Sequence, residues 1–160
     1  MPTITIKPEQ LADALRREAE HVQAAIPLAS MAAARRLAAH LADEIDRRGI
    51  TDRGILKNSI RAEKTPDGAT ATIDAPHAGI IELGARPHPI GKAVRDLIAE
   101  WAMRKLGVDK EAADRIAWGV GQKLEAEGQK PTYVVRDSMP AAQKFFAEEL
   151  VRILNRRSGR

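Results

Sequence analysis

Ser59-Ile60-Arg61-Ala62-Glu63-Lys64-Thr65-Pro66-Asp67-Gly68-Ala69-Thr70-Ala71-Thr72-Ile73-Asp74-Ala75 is the stretch in which the hydrophobic period changes to two. Ile60 and Ala62 alternate with Arg61 and Glu63. Past Thr65-Pro66-Asp67-Gly68, the residues Ala69, Ala71, Ile73 and Ala75 alternate with Thr70, Thr72 and Asp74. Alternate residues of a strand point to opposite faces, so each half reads as a half-buried strand. The proline presets one turn dihedral, and Asp-Gly tolerates the rest of a tight reversal. The segment predicts an antiparallel hairpin, and with helical patterns on both sides the chain is α+β.

N-terminal to the hairpin, Leu11, Leu15, Val22, Ile26, Ala29, Ala33, Leu37, Leu41 and Ile45 recur at helical spacing, skipping one turn through Ala19. Pro8-Glu9 suits a first helical turn. Pro27 removes a backbone donor within the stripe, so the pattern predicts either two consecutive helices or one kinked helix. Arg47 and Arg48 followed by Gly49 predict the stop, with a loop from Ile50 to Gly54.

C-terminal to the hairpin, residues 75–89 are too rich in glycine and proline for a long helix. Val94, Leu97, Ile98 and Trp101 predict a helix over Lys92–Leu106, closed by Gly107. Asp109 can cap a second, which runs to Glu127 and stops at Gly128, weakened by roughly 1 kcal/mol at each of Gly119 and Gly121 relative to alanine. Tyr133, Val134 and Val135 read as a short strand-like segment. Ala142, Phe146, Leu150, Ile153 and Leu154 line a final helix. The expected organisation is a single α+β domain over residues 1–157, with a two-helix insertion at about 90–128 and a disordered tail at 158–160.

Composition narrows the chemistry. The 160 residues suit one ordinary domain, and with 28 alanines against five aromatics the core must be thin and built from closely packed small side chains. Cysteine is absent, which excludes disulfide scaffolds, thiolate metal sites and a cysteine nucleophile. No apolar run of about 18 residues occurs, and Met1–Gln10 lacks a signal-peptide core, so neither a membrane span nor a secretory leader is expected, and the chain is expected to be made and kept in the cytosol, at least initially. The net charge of +4 permits contact with polyanions without requiring it.

No phosphate-binding loop, nucleotide-binding glycine motif, serine-hydrolase elbow or zinc-protease motif is present. His77, Glu82 and His88 could in principle hold a divalent metal, but their spacing fits no helical ligand pair. Glu82 is better read as a bidentate partner for Arg86, bracing a glycine-bounded loop. Arg35, Arg36, Arg47, Arg48, Arg152, Arg156 and Arg157 could neutralise phosphates, yet acids are interleaved with them and stacking aromatics are missing.

Five stretches, taken in order, resemble the tail-completion, or neck, proteins of long-tailed double-stranded DNA bacteriophages. Thr51-Asp52-Arg53-Gly54-Ile55-Leu56-Lys57-Asn58-Ser59-Ile60 is similar to that family's Asp-Thr-Gly-x-Leu-x-x-Ser-Ile approach to its hairpin. His77-Ala78-Gly79-Ile80-Ile81-Glu82-Leu83-Gly84-Ala85-Arg86-Pro87-His88 resembles its Tyr-Ala-x-x-x-Glu-x-Gly-x-x-Pro-His stretch. Trp101 to Gly107, Ile116-Ala117 and Gly128-Gln129-Lys130-Pro131 resemble a helical insertion and a Gly-Thr-Lys-Pro return found in some members. Arg53 stands where the family has threonine, and His77 where it has tyrosine.

The resemblance implies a structural virion protein, not an enzyme, that forms a hexameric or dodecameric ring joining tail to capsid around a DNA channel. It implies no metal or cofactor. Its partners would be copies of itself and other neck and tail proteins such as connector, stopper, tail terminator or tail tube; DNA would pass without sequence-specific binding. Asp67, Gly68, Glu82, Gly84, Arg86, Pro87 and His88 are the residues expected to shape loops or meet neighbouring subunits. The alternative is a small basic protein that binds DNA phosphates non-specifically.

Overall fold

The computed structural model describes residues 8–50 and 53–158. The elements run α1 (Pro8–Arg47), α2 (Ile55–Asn58), β1 (Ile60–Thr65), β2 (Gly68–Ile73), α3 (Ala78–Leu83), α4 (Lys92–Leu106), α5 (Lys110–Glu127) and α6 (Val134–Ser158). The architecture is α+β, mostly helical, with one two-stranded antiparallel sheet. Among the described residues no helix is long and apolar enough to cross a membrane.

The N-terminal stripe forms one continuous helix of 40 residues, so of the two arrangements predicted around Pro27 the pair of separate helices is not adopted. Proline removes only the donor that would reach the carbonyl of Gln23. Both residues face solvent, where water can take the donor's place. The helix ends as its sequence predicts. Gly49 adopts φ 65, its N–H donates to the carbonyl of Asp46 at 3.0 Å, and the N–H of Ile50 donates to Ile45 at 3.1 Å, the Schellman pair of bonds. Thr51 and Asp52 of the predicted loop lie outside the described residues. Arg53 and Gly54 lead into the short helix α2, which the sequence reading did not anticipate.

Two compact units divide the chain. The first holds residues up to His40, Arg61–Thr72 and Ser138 onward. Its core is small: Ala25, Ala29, Ala33 and Ala34 are buried on α1, with Ser138 and Glu149 from α6. The hairpin contributes Ala62 and Ala71, half-buried between exposed neighbours as its alternation requires, and Ala69, half-buried next to a half-buried Gly68. Gly68 has φ 150, and a side chain there would rest on Ser30 of α1, 3.5 Å from its hydroxyl.

The second unit holds Leu41–Ile60 and Ile73–Asp137. Leu41, Ile45, Leu56, Ile90 and Val134 are buried in it, beside the α4–α5 hairpin. That hairpin closes on Ala99, Ala102, Ala113 and Ala117, with Ile98, Val108 and Ile116 packed around them. Alanines let two helix backbones approach closely, but little apolar area is removed from water, so larger side chains remain outside. The helix signals match the pattern. Gly107 takes φ 67 after α4, and the Asp109 carboxylate accepts the N–H of Ala112 at 2.8 Å before α5.

The expected strand-like segment at Tyr133–Val135 is corrected by the structure: Val134 and Val135 open α6. β-branched residues favour strands only where a neighbouring strand or packed face receives them. Here their backbone is recruited into a helix start capped from another segment. Of the predicted tail, Ser158 closes α6, and Gly159 and Arg160 lie outside the described residues.

Candidate assembly site

Two glycines tie the loop after α3 to the return after α5. Gly84 has φ 75 and ψ −177, and Gly128 has φ 72 and ψ −167, a backbone region open essentially to glycine alone. A Cβ on Gly84 would collide with the carbonyl oxygen of Gln129 and the nitrogen of Pro131. One on Gly128 would collide with the carbonyl oxygen of Ala85. The bare backbones therefore come close enough for Ala85 and Gln129 to exchange hydrogen bonds of 2.9 and 2.8 Å in an antiparallel bridge.

Glu82 fastens the same knot to α6. Its two carboxylate oxygens accept the N–H groups of Val135 and Arg136, each at 2.9 Å. These are among the first-turn donors that a helix cannot satisfy itself, and the carboxylate also meets the positive end of the helix dipole. Both oxygens are thus engaged by backbone, which replaces the bidentate pair with Arg86 expected from sequence. Thr132 donates from its N–H (3.0 Å) and its hydroxyl (2.7 Å) to the carbonyl of Ile81, and Tyr133 donates from its N–H to that of Glu82 at 3.2 Å. Tyr133 carries φ 51, rare for a side chain of its size, and the guanidinium of Arg136 lies 3.5 Å from the centre of its ring. Arg48, just past α1, completes the knot by donating to the Thr132 carbonyl, to Asp137 at 3.2 Å and to Glu44 at 3.3 Å.

Arg86, Pro87 and His88 are exposed, and the His88 ring nitrogen lies 2.9 Å from the carbonyl of Arg86. Beside them Glu125 accepts the N–H of Ile90 at 2.9 Å and the Arg95 guanidinium at 2.7 Å. The bond from Ile90 holds the Glu125 carboxyl below its ordinary range. Burial opposes the shift and Arg95 reinforces it. Arg95 crosses α5 at Gly121, where a Cβ would stand 3.0 Å from its Nε. Asp67, at the exposed hairpin turn, and Gly68 belong to the other unit. Among the described residues no three histidine, aspartate or glutamate side chains gather as a metal site. His77, Glu82 and His88 each serve elsewhere.

A groove in the second unit was not anticipated. Ile50, Ile55, Leu56 and Leu97 supply its apolar walls, and Arg53, Lys57, His77 and Arg104 also line it, around a cavity of about 240 Å³. Ile55 and Leu97 are 53% and 57% exposed. Sequence periodicity could not find the groove, because Ile50, Ile55 and Leu97 come from three separate segments. Leu97 alone had a signal, as a member of the α4 stripe.

Four of the seven arginines weighed as phosphate contacts, Arg36, Arg47, Arg48 and Arg152, pair with carboxylates of the chain. Arg36 pairs with Glu148 at 2.8 Å and Glu149 at 3.1 Å, Arg47 with Glu44 at 2.7 Å, and Arg152 with Glu149. Arg36 also lies 4.3 Å from the centre of the Phe145 ring. The Glu149 side chain is only 8% exposed. Burial pushes its pKa up, but the bonds from Arg152 and Arg36 outweigh this and leave it below the ordinary carboxylate value.

Compared with protein-family models, curated proteins and solved structures, the chain finds no match in any of the three.

Proposed function

We propose that this chain is a structural subunit that assembles with copies of itself into a ring at the neck or upper tail of a tailed phage, joining tail to capsid and leaving a channel for DNA. The observation that carries this reading is the amount of apolar side chain left in solvent. Leu11, Leu15, Leu28, Leu83, Leu97, Trp118 and Val151 are all exposed around cores made largely of alanine. Scattered exposed leucines are ordinary on a monomer, but a helix that begins with two exposed leucines and an open apolar groove are features that subunit contact explains. The motif order around Glu82, Gly84 and Pro87 adds the family resemblance. Subunits that meet through two different patches close into rings when the rotation allows, with no chemistry required. Antibody labelling of purified phage particles in the electron microscope tests the placement. Label at the head–tail junction supports it, and particles lacking the chain refute it.

Binding to DNA phosphates is the alternative. It predicts affinity that falls steeply with added salt, but Arg36, Arg47, Arg48 and Arg152 are already held by carboxylates. A retardation assay at two ionic strengths separates the readings.

A further inference from the structure

The hairpin leaves one edge of its sheet open to pairing. Asp74 donates to the carbonyl of Ser59 at 3.1 Å, and Thr65 and Gly68 flank a two-residue turn, so both ends set the same register with no bulge between them. The inter-strand bonds therefore fall at Arg61–Thr72, Glu63–Thr70 and Thr65–Gly68. Ala62 and Lys64 of β1, and Ala69 and Ala71 of β2, turn their peptide N–H and C=O groups outward. Among the described residues the sheet has no third strand to receive them. An unpaired edge is a template for another strand unless charge, proline or a bulge blocks it. β1 carries Arg61, Glu63 and Lys64, whereas Gly68-Ala69-Thr70-Ala71-Thr72-Ile73 of β2 has neither charge nor proline.

A second groove accompanies that edge. Ala69 and Ala71 line it with Ala34 and Leu37 of α1 and Ala142 and Phe146 of α6, around a cavity of about 160 Å³. No described residue of β1 takes part, so the space lies toward the free edge of β2. A strand added there would lay every second side chain into it. The chain contains a segment of the required pattern: Thr3-Ile4-Thr5-Ile6, ahead of α1, alternates two β-branched residue types without charge. Beside β2, Ile4 and Ile6 would fall on the groove side with Ala69 and Ala71. Thr3 and Thr5 would stand with Thr70 and Thr72 on the solvent side, where threonine pairs are favourable neighbours.

The segment cannot reach the edge of its own copy. A side chain on Gly68 would rest on Ser30, and α1 runs unbroken from Pro8 past Ser30, about 33 Å of helix at 1.5 Å per residue. Residues 3–7 span at most roughly 18 Å when fully extended. We infer that Thr3–Ile6 of one copy adds as a third strand to the β2 edge of the next. The strand offered and the edge that accepts it are different surfaces, so the contact runs head to tail and can close a ring. The inference rests on the assembly reading above and names a contact that would carry it.

The chain has no cysteine, so introduced thiols report without background. Thr5→Cys is mixed with Thr70→Cys or with Thr72→Cys, oxidised and separated under denaturing conditions, with native mass spectrometry of the unmodified chain alongside. One of the two mixtures is expected to give a disulfide-linked dimer between the two variants as its main crosslinked product. Thr5→Cys mixed with Glu63→Cys, on the same face of β1, should give at least tenfold less. Two further variants cover the case in which a cysteine variant misfolds by circular dichroism. Removing Met1–Lys7, or introducing Ala71→Pro, which deletes an outward N–H but no bond to β1, should each weaken assembly at least tenfold. Assembly that survives both changes and yields no crosslink overturns the strand contact and leaves the assembly reading standing. Equal crosslinking to Glu63→Cys, or crosslinks only between two copies of Thr5→Cys, also overturns the strand contact. A chain that stays monomeric and uncrosslinked overturns both.

Discussion

Gly84 and Gly128 each hold a backbone that an alanine reaches only under strain, and at each the added Cβ meets backbone atoms that cannot swing aside. Gly84→Ala and Gly128→Ala should each cost at least about 1–3 kcal/mol in urea denaturation, from dihedral strain alone. Glu82→Gln keeps the shape but removes the charge and one acceptor at the start of α6. Helix caps of this kind contribute roughly 0.5–2 kcal/mol, so a loss in that range is expected. Glu149 behaves differently because its contribution depends on protonation. Its folded pKa lies below the ordinary 4.5, so its stabilisation is present above that value and disappears as pH falls through the lower, folded one. The penalty of Glu149→Gln should therefore be largest at neutral pH and shrink as the solution is acidified below about 4.5. A penalty unchanged with pH would remove the ion pairs to Arg36 and Arg152 as its cause.

The two glycines of α5 separate propensity from packing at the level of an element. Gly119 has open space where a Cβ would stand, so Gly119→Ala should stabilise by about 0.5–1 kcal/mol. At Gly121 the same change presses on the Nε of Arg95, and the gain should be smaller or reversed. Thermal melting of the pair checks the contrast. The same elements show what sequence can carry. Helix ends were legible at Gly49, Gly107, Asp109 and Gly128, because a cap is written in one or two adjacent residues. The hairpin was legible because a period of two over residues 59–75 has no helical reading. Tyr133–Val135 was misread because the partner that makes it helical, Glu82, stands 53 residues before Val135. The groove was invisible for the same reason: Ile50, Ile55 and Leu97 acquire meaning only when the fold gathers them. Glu82 and Gly84 could be singled out in sequence, but not the atoms they touch.

Across the molecule, alanine cores set the balance between what is buried and what is left over. Buried leucines and isoleucines are few, and Leu41→Ala, removing one of the largest fully buried side chains, should cost about 2–5 kcal/mol. Many large apolar side chains are exposed instead, spread over several helices, with Leu11 and Leu15 at the start of α1 and Ile55 and Leu97 at the groove among them. On this view a protomer is stable enough to fold and leaves its unspent apolar surface for contact with other copies. Native mass spectrometry of the purified chain over a range of concentrations tests that most directly. A single closed homo-oligomer, dissociated by Leu15→Glu or Leu97→Glu without loss of helical content, is the expected result; a monomer at every concentration would contradict it.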